Sequence, residues 1–417
     1  MKQLIVLLIT AFCIVTAQAQ SVTLDSCQCW ARQNHPLLKQ AGVIDQISAL
    51  HQKSIGAGNL PQIDLTGRAS YQSDVVNIPI SIPGMNLKGL SKDQYKLYVD
   101  IKQKLYDGGI SKSRKEVEEV DRRISQQQNE TDLYKIRESV NTLYFQALTL
   151  DENKQILELK KQMLDERIKI LSSAVKNGVA LPNELDNLKA EQLLTDQQLI
   201  EVTSGKQTII DMLTLITGKD LSVQSEFIVP IVSIENESIT RPELKLFLLQ
   251  KEKLDSSKKL IYNTRKPYAF AFGEAGYGRP GLNMLNNGFD DWYMVGLGIS
   301  WNLWDGNKSK HDRSAVKMQK MLIDSQRENF ERAINISATQ EKENAGKMDK
   351  LIETDQQVVT LRERIAKRSA SALDNGTMTS ADYIRDLNAS LQSKVMLEIH
   401  KIQKVQAMIN LNTILGN

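Results

Sequence analysis

Cysteine is scarce in this chain, with three in 417 residues, at positions 13, 27 and 29. Cys13 lies in the apolar N-terminal stretch. Cys27 and Cys29 are two residues apart, a spacing that bridges badly. A disulfide framework is therefore excluded. The pair reads as two ordinary residues near a loose N-terminus, with a metal or intermolecular role left open. Histidine is as thin: His35, His51, His311 and His400 stand far apart at no ligand spacing, so a surface position is expected for each. No GxxxxGK[ST] loop exists, since Gly84 and Gly89 are followed by Leu90, and Gly296-Leu297-Gly298 sits inside a strand pattern rather than at a nucleotide turn. The twelve methionines are scattered and form no metal ladder. No catalytic residue, cofactor or metal site is expected, and so no enzyme. Charge of one sign is missing too. The net charge of +3 excludes a polybasic nucleic-acid binder and a solvating acidic tail alike.

A long hydrophobic run is also lacking beyond the first twenty residues. There, one lysine precedes an apolar stretch that ends in Ala17-Gln18-Ala19, the pattern of a secretory signal peptide over 1–19. The stretch of roughly 14 residues is short of the ~20 needed to span a bilayer. Cys13 follows Phe12, which argues against lipidation. No later segment approaches a membrane-spanning helix.

The most informative absence is that of helix breakers. Neither glycine nor proline occurs between Gly109 and Gly178, and Gly346 is the only one between Asn307 and Asn375. An uninterrupted helix of such length is roughly 100 Å long at 1.5 Å per residue, more than a compact domain uses. Apolar residues recur at three and four: Leu133, Ile136, Val140, Leu143, Ala147, Leu150, Leu157, Leu164, Ile168, Leu171 and Val175, with Lys154 and Lys161 interrupting the seam. The later stretch is sparser, with Ala338, Ala345, Ile352, Val359, Ala366 and Leu373. Both predict coiled-coil packing.

What is present is written twice. LYDGG at 105–109 returns as LWDGN at 303–307, 198 residues on, and Asn177-Gly178 returns as Asn375-Gly376 at the same offset. Leu215-Ile216-Thr217-Gly218 is echoed by Thr413-Ile414-Leu415-Gly416. Upstream, His35-Pro36 and Pro61 align with Arg241-Pro242 and Pro267 at an offset of 206. The chain is a tandem duplication. The expected layout is a first repeat over 20–218, a linker over 219–240 and a second repeat over 241–417. Each repeat holds a modest helix (about 36–58 and 242–265), two strands and a long helical hairpin (110–217 and 308–415).

The strands, at about 62–73, 94–105, 268–278 and 291–303, are read from period-two alternation. Tyr95, Leu97, Val99 and Ile101 share one face, as do Tyr293, Val295, Leu297, Ile299, Trp301 and Leu303. Lys96, Asp100, Lys102 and Lys104 occupy the other face of the first run. Strands near ten residues, apolar on one face and aromatic near their ends, fit a transmembrane barrel. A sheet on a soluble core is the competing reading. The loops 77–93 and 278–291 are rich in Gly, Pro and Asn and read as surface loops. Four strands cannot close, and an open edge is not tolerated in lipid, so a membrane-spanning sheet demands several chains.

The ensemble resembles the outer-membrane efflux protein (TolC) family. The residues that carry the resemblance are LPQIDLTGRASY, LYDGGISKSR, VNTLYFQALTL, NGVALPNELDNLKA and LITGKDL in copy one. In copy two they are KPYAFAFGEAGYG, GISWNLWDGNKSK, NGTMTSADYIRDLNA and LNTILGN. The resemblance runs nearly end to end. It implies a mainly α fold with a β-barrel portion: a trimer whose barrel is continued by an α-helical barrel across the periplasm. It further implies an exit duct in the outer membrane, reached through a periplasmic adaptor (membrane fusion) protein by an inner-membrane pump or transporter. Tyr95, Leu97, Val99, Ile101, Tyr293, Val295, Leu297, Ile299 and Trp301 would then face lipid. Asp107, Gly108, Asp305 and Gly306 would turn barrel into tunnel. Asn177, Gly178, Val179, Asn375, Gly376 and Thr377 would form the adaptor-docking tips. Glu184 and Asp382, each six residues past its glycine, and Asp386 would line the pore constriction. Arg385 and Met378 depart from the family pattern, so the closing network is expected to differ. Glu184 and Asp382 also suit a helix N-terminus. The rival readings are a periplasmic coiled-coil adaptor or interaction protein and, more distantly, a secreted enzyme.

Overall fold

A computed structural model describes residues 21–76, 90–232, 238–284 and 286–417. The expected signal peptide and most of the 77–93 loop lie outside the described residues. Seven helices are described: α1 Leu24–Asn34, α2 Leu37–Ala57, α3 Ile110–Lys176, α4 Pro182–Thr217, α5 Pro242–Asn263, α6 Lys308–Asp374 and α7 Ser380–Leu415. Six strands accompany them: β1 Ser21–Val22, β2 Gln62–Tyr71, β3 Asp93–Tyr106, β4 Glu226–Phe227, β5 Tyr268–Arg279 and β6 Asp290–Ser300. α3 and α6 each run 67 residues, and α4 and α7 each run 36. The equal lengths are the structural face of the constant offset. The fold is mainly helical, as two strand pairs and two long helical hairpins require.

The chain divides into two compact units. Among the described residues, the first holds those of 21–40, 129–244 and 329–417, and the second those of 41–128 and 245–328.

In the second unit the strands form one antiparallel sheet in the order β2-β3-β5-β6. Its register is continuous. Leu65 pairs with Val99, Val99 with Ala275, and Ala275 with Tyr293. Because side chains alternate, that row and every second row share a face. It carries Ile63, Leu65, Leu97, Ile101, Val295, Leu297 and Ile299, all exposed. The opposite face carries Asp64, Asp100 and Glu274 in one row and Thr66, Tyr98, Gly276 and Trp292 in the next. Lys102 bonds the Asp100 carboxylate on this face. The rings of Phe270 and Phe272 reach over Gly298 and Gly296. A Cβ on Gly296 would meet the Phe272 ring at 2.6 Å, so the glycine is the floor the ring needs. β6 ends at Ser300, where the alternation continues but the ladder does not. Trp301 instead donates its indole N–H to the Arg265 carbonyl at 3.0 Å.

The first unit has its own core, in which α1, β1 and β4 pack on the middle of α3 and the ends of α4 and α7. Val22, Leu24, Cys27, Ala31, Val140, Tyr144, Phe145, Ile210 and Leu213 are buried together. The Tyr144 hydroxyl, 2.7 Å from the carbonyls of Val22 and of Ile228, ties β1 to β4. This corrects the expectation of a loose N-terminus. Leu24, Cys27 and Ala31 recur at helical spacing once cysteine is counted as apolar, and Thr23 caps the helix by accepting the Ser26 N–H at 3.2 Å. Burial pushes the Cys27 thiol up to about 12, whereas Cys29 is exposed. The segment read as a linker contains β4. His400 corrects the expectation that every histidine lies on the surface. Its ring is only 13% exposed and stands 2.5 Å from Asp355 of α6.

Candidate functional site

Three features of the duplication are built twice: the Asp-Gly turn, the helical break and the apolar strand face. At the turn, Asp107 uses both oxygens to hold the start of α3. One accepts from the Gly109 N–H at 2.9 Å, the other from the Ser111 N–H at 2.6 Å. Asp305 repeats this for α6, accepting from the Ser309 N–H at 3.0 Å. These are side-chain caps on otherwise unsatisfied donors. Burial alone would raise the Asp107 carboxyl, but the hydrogen bonds from Ser111 and Gly109 outweigh it and hold the carboxyl below its ordinary range. The Ser309 hydrogen bonds do the same for Asp305. The chain passes from strand to helix through left-handed residues, Gly108 and Gly109 in one copy and Gly306 and Asn307 in the other. A Cβ on Gly108 would stand 2.9 Å from the Lys266 side chain, so space and conformation both demand glycine there.

At the breaks the long helices close with the same hydrogen-bonding pattern. Val179 N–H reaches back to the Ala174 carbonyl at 2.9 Å and Gly178 N–H to Val175 at 3.0 Å. In copy two Thr377 reaches Ala372 at 2.9 Å and Gly376 reaches Leu373 at 3.0 Å. Gly178 and Gly376 take the left-handed conformation that this C-cap uses. Copy one restarts with Pro182, which lacks the N–H that position leaves unused, and copy two with Thr379 as cap.

The two breaks sit together in the first unit. Between them lies a cavity of about 490 Å³ lined by Arg167, Leu171, Val179, Leu181, Leu373 and Met378, among others. The expected tip residues Val179, Asn375, Gly376 and Thr377 border it, and so does Glu184. Beneath it Leu164, Leu171, Leu188, Leu373, Tyr383, Leu387 and Leu391 form an apolar cluster shared by both hairpins.

The three acids singled out from the sequence have different surroundings. Glu184 accepts the Ser380 N–H at 2.6 Å, so the acid of copy one caps the helix of copy two. Asp382 exchanges bonds with Thr379, its N–H donating at 3.2 Å and its carboxylate accepting the hydroxyl at 2.8 Å. It also pairs with Arg385 at 3.0 Å and stays partly exposed. Asp386 accepts from Ser369 Oγ at 2.6 Å. Each of Glu184 and Asp382 is thus a helix-start acid here, as its first-turn position suggests.

Sequence reasoning missed the groups that join the two hairpins. Arg167 pairs with Asp374 and its guanidinium lies 5.8 Å from the ring centre of Tyr383. Tyr383 is buried, which pushes its hydroxyl up. Glu191 joins Lys160 at 2.6 Å to Asn388 at 2.9 Å. Burial opposes ionisation of Glu191, yet these two donors keep its carboxyl below the ordinary value. Among the described residues no helix is long and apolar enough to cross a membrane. No cluster of His, Cys, Asp and Glu there could hold a metal.

An apolar sheet face and a duplicated pair of capped helical hairpins define a class, that of channel proteins with a β portion and a helical barrel. The comparisons agree. Residues 30–219 match the family described as outer membrane efflux protein. No curated protein matches the chain by sequence. Solved structures match it by fold across both repeats. The outer membrane protein VceC from Vibrio cholerae is 14% identical with a TM-score of 0.67, over 94% of this chain and 96% of that one. The Campylobacter jejuni CmeC outer membrane channel is 15% identical with a TM-score of 0.64, over 94% and 85%. The open state of the Neisseria gonorrhoeae MtrE outer membrane channel is 13% identical with a TM-score of 0.65, over 94% and 89%.

The matched segment is the first repeat, and the second repeats its elements in order and length. The protein matches the outer membrane efflux protein family by sequence over its first repeat. It is an outer-membrane efflux channel that extends into the periplasm.

Proposed function

We propose that three chains close their four-stranded sheets into one twelve-stranded barrel, and that the helical hairpins continue it as a periplasmic duct. A periplasmic adaptor docks at the helical breaks, and through it an inner-membrane pump or transporter feeds the duct. The observation that carries this is the sheet. It is apolar and exposed on one face, while β2 and β6 are left as open edges. Lipid satisfies the face and not the edges, so the edges must pair with other copies.

Tyr95, Leu97, Val99, Ile101, Tyr293, Val295, Leu297, Ile299 and Trp301 are the lipid-facing residues in this arrangement. Asp107, Gly108, Asp305 and Gly306 carry each strand pair into its helices. Asn177, Gly178, Val179, Asn375, Gly376 and Thr377 are the docking tips, and the last four of them border the cavity. Glu184, Asp382 and Asp386 lie nearest the constriction. Asp382 is the strongest lining candidate, because its side chain is 43% exposed against 17% for Asp386, and Glu184 is turned to the Ser380 N–H.

Cysteines placed at Val179 and Thr377 should cross-link to a co-expressed adaptor. Cross-links obtained only from cysteines in the 77–93 loop would put the partner at the opposite end and overturn the docking scheme.

A further inference from the structure

The two repeats differ in charge just past the Asp-Gly turn. On α6, Lys310, Arg313, Lys317 and Lys320 follow one another at steps of three and four and so share one helix face. The matching residues of α3, 198 positions earlier, are Lys112, Lys115, Glu119 and Arg122. There the stripe balances itself, since Arg122 is held by Glu119 at 2.6 Å and by Asp45 at 2.9 Å. In copy two a lysine replaces that glutamate. The stripe borders a groove of about 280 Å³ to which α5 adds Lys258 and Asp255. Asp255 is the only carboxylate in the lining, and it stands 2.5 Å from Lys320. Arg313 donates one N–H to the Ser309 carbonyl at 3.2 Å. Lys258, Lys310 and Lys317 have no carboxylate partner among the described residues.

We propose that this groove binds phosphate groups, carried by an anionic lipid headgroup or by a phosphate-bearing solute. Five cations around one carboxylate repel one another until a multivalent anion joins them. Phosphate offers several acceptor oxygens to such a cluster. The lipid source rests on the barrel reading above. If the sheet spans the bilayer, the first turns of α6, next to its end, lie at the headgroup layer, where a basic cluster attracts anionic lipid. A second copy of the chain does not supply the missing charge. Since β6 and β2 are the sheet edges, α6 of one copy would neighbour α2 of the next. The only acid of α2 is Asp45, already bonded to Arg122.

The test is calorimetric titration of the full chain in a non-ionic detergent. One arm compares dihexanoyl phosphatidylglycerol with dihexanoyl phosphatidylcholine. The other uses inorganic pyrophosphate. The expected result is a preference for the anionic probe of about tenfold, lost in Lys310→Ala/Lys317→Ala and retained in Lys112→Ala/Lys115→Ala. Lys317→Glu, which copies the charge pattern of the first repeat, should lose binding as well and guards against a folding defect. Binding of phosphatidylglycerol alone identifies a lipid site. Binding of pyrophosphate alone identifies a soluble ligand. Equal affinity for the two lipids with no pyrophosphate binding would overturn the proposal, and so would an equal loss in the copy-one variant. Loss of trimer and conductance with pyrophosphate binding intact would count against the channel scheme and leave the groove standing.

Discussion

Asp107 and Asp305 show how one carboxylate can set the junction of two elements. Each starts a 67-residue helix by accepting backbone N–H groups. The Asp107 carboxyl is held below its ordinary value, so its contribution is present above the unfolded-state pKa. It is lost as pH falls through the lower, folded value. Asp107→Ala should therefore speed amide exchange in the first turn of α3 at neutral pH, by about fivefold for a cap worth about 1 kcal/mol. The difference from wild type should vanish in acid; a difference that persists there would assign the effect to packing. At the tip, Asp382→Asn should weaken cation preference and multivalent-cation block in planar bilayers, because a ring of like charges favours bound cations. Glu184→Gln should change both less, since that carboxylate already caps Ser380. Unchanged selectivity in the double variant would mean that these acids only cap helices. The first-turn positions of Glu184 and Asp382 were legible from the sequence alone. The links from Glu184 to Ser380 and from Arg167 to Asp374 and Tyr383 were not, because they join residues about two hundred positions apart whose meeting depends on how the hairpins pack.

Among the elements, the long helices were the most legible, because the lack of glycine and proline leaves nothing to stop them. The faces of β3 and β6 were legible from alternation. β2 and β5 were harder: YAFAF is apolar on both faces, since Phe270 and Phe272 cover glycines of the neighbouring strand on the polar side. α1 escaped notice because Cys27 was weighed for its chemistry and not for its size. The two-residue strands β1 and β4 are too short for any period to register. The parity of the sheet has a direct consequence. An arginine at Leu97 or Leu297 should cost roughly 2–4 kcal/mol in refolding titrations into lipid vesicles, and one at Thr66 or Met294 much less. Tolerance at Leu97 and Leu297 together with a loss at Thr66 and Met294 would invert the assignment of faces.

For the whole molecule, the duplication makes two half-sites of everything and leaves the chain unfinished. Four strands present two edges, and no described residue closes them. The sequence shows this as directly as the structure does, because it writes only two strand pairs. Number of copies is a property of the closed assembly, where strand count, tilt and stagger must agree. The mass of the protein extracted from outer membranes in a non-ionic detergent, measured by light scattering with the detergent subtracted, decides it. Closure of a twelve-stranded barrel predicts three chains per particle, inserted in the membrane fraction. A stable single chain in the soluble periplasmic fraction would contradict it.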